Sequence, residues 1–154
     1  MSKDNSNIVS MVDRAAEIME FIFESEKPLG VSYISEHLDL PKATVFRILT
    51  TLLKWDFVEK YKNTDDYILG KALIKYGAKA KSNIDIVEIA STAIKNLAKE
   101  IGENVNLGIQ YKYSALTLYS EKGESSALVS KLIPISPLNC SSMGKIFLAD
   151  FDDD

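Results

Sequence analysis

One cysteine and one histidine in 154 residues set the first limits. Cys140 has no second cysteine for an internal disulfide, and with only His37 to join it the chain cannot assemble a conventional zinc site. Long apolar runs are also missing. No stretch approaches the roughly 20 residues of a membrane helix, and the opening Met1-Ser-Lys-Asp-Asn-Ser-Asn7 lacks the apolar segment of a secretion signal. The expected location is the cytoplasm, with no membrane partner, no metal and no cofactor. There is no nucleophile with a partnered base, so an enzyme has no support. An excess of positive charge is absent too. The net charge is −4, which argues against a nucleic-acid partner unless the cations are gathered locally.

They are gathered. Residues 1–39 hold three cations against eight acids, whereas residues 40–64 hold five cations against two. Residues 71–84 carry four lysines and no acid, and the remainder from Asp85 is acidic again. With 46% hydrophobic residues the chain can bury a core, as one ordinary domain or two small ones.

The basic stretch begins with Leu40-Pro-Lys-Ala-Thr-Val-Phe-Arg-Ile-Leu49. Val45, Ile48, Leu49 and Leu52 recur at helical spacing and predict one buried face. Lys42, Ala43, Thr44, Phe46, Arg47, Thr50 and Lys54 fall on the others. That exposed set suits a DNA groove, since its first turn offers cations and a hydroxyl and no carboxylate. Pro41 fits the first helical position. Upstream, Ser10 is a candidate cap for a helix with Ala15, Ile18, Met19, Ile22 and Phe23 on its apolar stripe. Lys27-Pro-Leu-Gly30 breaks that helix, and Ser32 is placed to cap a short second one with Ile34 and Leu38 inward. His37 lies late in it, at the surface or half-buried. A short helix, a tight turn at Asp39–Pro41 and a longer helix with a polar face make a helix-turn-helix.

After Trp55-Asp56 the period changes to alternation. Phe57–Tyr61 and Tyr67–Leu69 read as two short strands around Lys62–Asp66, a wing hairpin. Arg47 is expected to hold guanine or phosphate, and Thr44 to position the backbone. Phe46 has two readings, contact with a thymine methyl or folding back onto Trp55 or the wing. Lys60 and Lys62 are candidate phosphate contacts. Residues 71–82 read as a linker helix, with Lys71, Lys75 and Lys79 on its wet face and Leu73, Ile74 and Tyr76 available for packing. A further helix carries Ile86, Ile89, Ala90, Ala93, Ile94, Leu97 and Ile101 and stops at Gly102. Strands follow at Val105–Gln110, Leu116–Ser120 and Leu128–Ile135, and Ser141–Ala149 is a loop entering a helix. Gly144-Lys145 lacks the rest of a phosphate-loop pattern, since position 139 is Asn and Ile146 follows the lysine.

Three blocks together resemble IclR-type transcriptional regulators. They are the opening helix Ile8–Gly30, the recognition helix and wing, and Pro137-Leu-Asn-Cys-Ser-Ser-Met-Gly-Lys-Ile-Phe-Leu-Ala149. The third makes the match specific. The resemblance implies an α+β chain: a winged helix-turn-helix over residues 1–70, a linker helix over 71–82, and a GAF-like α/β effector domain over 83–154. It also implies a regulator, commonly a repressor, that binds double-stranded DNA as a homodimer or homotetramer under a small-molecule effector. Family members run on past this last helix, so the second domain is expected to be partial, with an incomplete pocket and open strand edges that favour self-association. Cys140, Ser141, Ser142 and Gly144 are its candidate effector residues, with plain N-capping the ordinary role of the serines. The rival to DNA reading is a winged-helix protein-interaction module, which would show little salt dependence in duplex binding.

Overall fold

The computed structural model describes residues 8–124 and 134–150, and its contacts group into two units, Met1–Lys79 and Ala80–Asp154. In the first unit, α1 (Ser10–Glu24), α2 (Val31–His37) and α3 (Lys42–Lys54) are followed by a hairpin of β1 (Val58–Lys60) and β2 (Tyr67–Leu69), with Val58 opposite Leu69 and Lys60 opposite Tyr67. The apolar spacing of α3 does what it predicts: Val45, Ile48, Leu49 and Leu52 are all buried. They meet Ile18 and Ile22 of α1, Ile34 of α2, and Val58 and Tyr67 of the hairpin in one core. Each such aliphatic side chain taken from water stabilises the unit by about 1.5–3 kcal/mol.

The edges of the elements differ from expectation in small ways. Ser10 is already inside α1, whose cap is Val9, and α2 is capped by Gly30 rather than Ser32; neither cap makes a side-chain hydrogen bond. Pro41 caps α3 from just outside it. Phe23 is exposed, and Phe21 packs on the core in its place, because the inward arc of α1 is centred on Ile18 and Ile22. Leu29, which the sequence places in a mere break, pairs with the hairpin: its N–H donates to Tyr67 O at 3.0 Å and its carbonyl accepts from Tyr67 N at 2.8 Å. Helix α4 (Ala72–Ser82) buries only Ala72, leaves Ile74 exposed, and sets Tyr76 against Phe57 with ring centroids 5.4 Å apart. Lys71 precedes this helix and pairs with Glu59 at 3.4 Å.

The second unit contains α5 (Ile86–Ile101) and the antiparallel strands β3 (Val105–Tyr111), β4 (Ser114–Glu121) and β5 (Ile135–Pro137) in the order β3-β4-β5. Gly102 ends α5 in the left-handed region at φ 74°, where its N–H donates to Ala98 O, a conformation that glycine adopts without penalty. Only Ile94 and Ala98 of α5 are buried; Ile86, Ile89, Leu97 and Ile101 of the expected stripe are exposed. Strands β3 and β4 meet at a tight turn, Lys112–Tyr113, with Lys112 at φ 53°. The expected third strand Leu128–Ile135 lies mostly outside the described residues, and the described strand runs Ile135–Pro137. A 3-10 turn at Leu138–Cys140 then leads into α6 (Ser142–Ala149). Residues 1–7 and 151–154 also lie outside the described residues. Among the described residues no helix is long and apolar enough to cross a membrane.

Candidate nucleic-acid interface

The turn between α2 and α3 is locked by reciprocal bonds. Ser35 Oγ donates to Leu40 O at 2.6 Å, and Leu40 N donates to Ser35 O at 3.0 Å. Between them Asp39 turns the chain at φ 50°, a left-handed conformation that Asp tolerates better than most residues. Ser35 and Asp39 aim α3; the sequence reading set Asp39 at the start of the turn but passed over Ser35. The signal was present in kind, since Ser and Asp next to a helix break bond the local backbone.

From that turn α3 presents Lys42, Ala43, Phe46, Arg47, Thr50 and Lys54 outward, all exposed, with Thr44 half-buried at the flank. No acid occupies its first turn, and Lys54 lies in its last. Among the described residues neither Lys42 nor Arg47 is held in an ion pair. Thr50 Oγ donates to Phe46 O at 2.8 Å and Thr51 Oγ to Arg47 O at 2.9 Å, so both hydroxyl protons are taken and each oxygen is left to act as an acceptor. Phe46 is 56% exposed and, among the described residues, makes no ring contact with Trp55.

The wing separates its two lysines. Lys60 Nζ lies 2.6 Å from Asp65 Oδ1. That hydrogen bond first, and the charge second, hold the Asp65 carboxyl below the usual carboxylate value and raise the Lys60 ammonium above its own. Lys62 sits at the tip at φ 49°, exposed, with Nζ 4.9 Å over the Tyr61 ring. His37 lies tilted against the Tyr33 ring with centroids 3.8 Å apart, and its Nδ1 is 3.0 Å from Tyr33 O.

In the second unit, Ser141 Oγ accepts from Gly144 N at 3.0 Å and caps α6. Ser136 Oγ donates to the same oxygen at 3.3 Å. Gly144 is buried, and a Cβ there would stand 2.1 Å from Leu138 O, so glycine is required by the close approach of the turn. Cys140 and Ser142 are exposed. Of the four residues considered for an effector, two therefore have structural roles in capping and packing. Among the described residues no group of His, Cys, Asp and Glu is placed to hold a metal ion.

Comparison with known proteins places both units. Residues 11–61 match the IclR helix-turn-helix domain, and residues 78–154 match the bacterial transcriptional regulator IclR C-terminal family. The chain is 29% identical to the glycerol operon regulatory protein of Streptomyces coelicolor over 145 residues, covering 92% of this chain and 56% of that one. It is 24% identical to the transcriptional repressor IclR of Escherichia coli, covering 95% and 54%. An IclR family regulator from Brucella abortus has the same fold, with a TM-score of 0.82 at 24% identity over 100% of this chain and 60% of that one. The chain thus spans about half the length of the curated relatives it matches.

Proposed function

The chain belongs to the IclR family of bacterial transcriptional regulators, and from that premise we propose that it reads double-stranded DNA through α3 and represses transcription in the cytoplasm. The observation that carries this is the acid-free outer face of α3 in an otherwise acidic chain. Arg47, with no carboxylate paired to it among the described residues, is the base-reading or phosphate-clamping group. Lys42 and Thr44 fix the first turn on the backbone, Ala43, Phe46 and Thr50 offer methyl and hydroxyl contact, and Lys62 reaches phosphate from the wing. Lys60 reaches it only by giving up Asp65.

Residues 1–70 act as the DNA-binding domain, 71–82 as the linker helix and 83–154 as the effector and oligomerisation region. Two copies related by a two-fold axis would set their α3 helices in successive major grooves and select a pseudo-palindromic site. A small-molecule effector would act by binding one dimer geometry better than another, with exposed Cys140 and Ser142 beside the capped start of α6 as its contacts. Repression is the reading supported by the name of the Escherichia coli relative. Enzymatic activity is set aside, since the family and its named members are regulators.

Selection from a pool of random duplexes tests the proposal. The native chain should recover a two-fold related sequence, and Arg47→Ala should weaken binding to it by about 1–3 kcal/mol. Recovery of no sequence would turn the reading toward a protein-interaction module, and equal affinity for the variant would remove Arg47 from the contacts.

A further inference from the structure

The winged-helix unit contains a recess whose floor and α1 wall lie outside the proposed DNA contacts, although Phe46, Arg47 and Thr50 belong to both. Between the first turns of α1 and the outer flank of α3 lies an open cavity of about 500 Å³, walled by Met11, Val12 and Ala15 on one side and by Phe46, Ile48 and Leu52 on the other. Small-molecule sites typically span roughly 300–1,000 Å³, with apolar walls and few polar groups. The polar groups here are Thr50, Thr51 and Arg47. Both hydroxyl protons are committed to the carbonyls of Phe46 and Arg47, so the guanidinium is the charged donor at the recess, and among the described residues it has no ion pair.

Apolar walls with one exposed guanidinium, free of an ion pair among the described residues, select an amphiphilic anion. The apolar body gains by leaving water, and a carboxylate can take a bidentate bond from Arg47. We propose that this cleft binds a small apolar carboxylic acid, aromatic or branched, and that the acid and DNA compete for Arg47 and Phe46. The competition rests on the DNA reading proposed above; the binding does not.

The test uses the full chain labelled with ¹³C at the methionine methyls and titrated with 2-naphthoate. Met11 lines the cleft and Met143 lies in the other unit as an internal control. The expected result is a saturable shift of Met11 with Met143 unmoved, and binding at least tenfold weaker for 2-naphthylmethanol, which lacks the carboxylate. Val12 is 67% exposed, so substitutions there leave the core intact. Val12→Glu should weaken naphthoate at least tenfold, and Val12→Arg should not. Saturating naphthoate should raise the apparent Kd for a duplex. A silent Met11, equal affinity for the alcohol, or full binding by Val12→Glu would overturn the site. So would a dimer that Val12→Glu disperses while Met11 stays silent, which would give the groove to a second copy. A chain that binds naphthoate but no duplex would sink the DNA reading and leave the site standing.

Discussion

Asp65 decides how many cations the wing can offer. Its carboxylate is almost fully exposed yet sits 2.6 Å from Lys60 Nζ, so a phosphate approaching Lys60 must displace it. A surface pair of this kind is weak and salt-screened, but it competes for the same ammonium that DNA would use. Asp65→Asn should therefore tighten duplex binding and steepen its salt dependence by about one unit per protomer. A titration at several salt concentrations with an unchanged slope would mean that Lys60 stays off the DNA in both proteins. The sign with pH follows from the lowered value of Asp65. The pair's stabilisation is present at neutral pH and is lost as pH falls through that lowered value, where Lys60 is released. Raising the Lys60 value leaves it charged throughout the neutral range.

The joint between α3 and the wing depends on Gly70. A Cβ there would lie 2.1 Å from Asp56 O and 2.7 Å from Asp56 C, both backbone atoms that cannot rotate away. Gly70→Ala should cost more than about 2 kcal/mol, visible as a lowered Tm. Leu49→Ala, which empties a fully buried position in α3, should cost about 2–5 kcal/mol in the same measurement. An unchanged Tm in the first variant would mean that the joint opens more readily than the structure allows. Residues of these two kinds also mark what the sequence could tell. Leu49 was legible, because its place in a 3.6-residue period is a local property that the core then obeys. So were Gly102, with its left-handed stop, and the wing hairpin with its change of period. Gly70 and Gly144 were not legible as packing glycines, since each is set by a backbone approaching from elsewhere in the chain. Leu29 was missed for the same reason, its partner Tyr67 being remote in sequence. In the candidate interface, the outward face of α3 followed from what its inward face must bury. The diversion of Lys60 by Asp65 depends on side-chain reach across a turn, which periodicity does not encode.

At the scale of the whole chain the question is how a protein of net charge −4 would hold the polyanion proposed as its partner. Segregation answers it. Each cation that reaches phosphate releases condensed counterions, and distant acids are screened within a Debye length of about 8–10 Å at physiological salt. Lys42, Arg47 and Lys62 are the exposed cations on α3 and the wing tip put forward for DNA contact, and no ion pair binds them among the described residues. Three contacts from each of two protomers would give a plot of log K against log salt with a slope of roughly −5, and one protomer alone about half that. Arg47→Ala should reduce the dimer's slope by about two, one for each copy. A slope near the half value at protein concentrations where light scattering reports a dimer would mean that only one α3 engages the duplex. Two-fold symmetry of the operator would then not follow from two-fold symmetry of the protein. A slope near zero would place the affinity elsewhere than in phosphate contacts, and with it the reason for keeping acids off the face of α3.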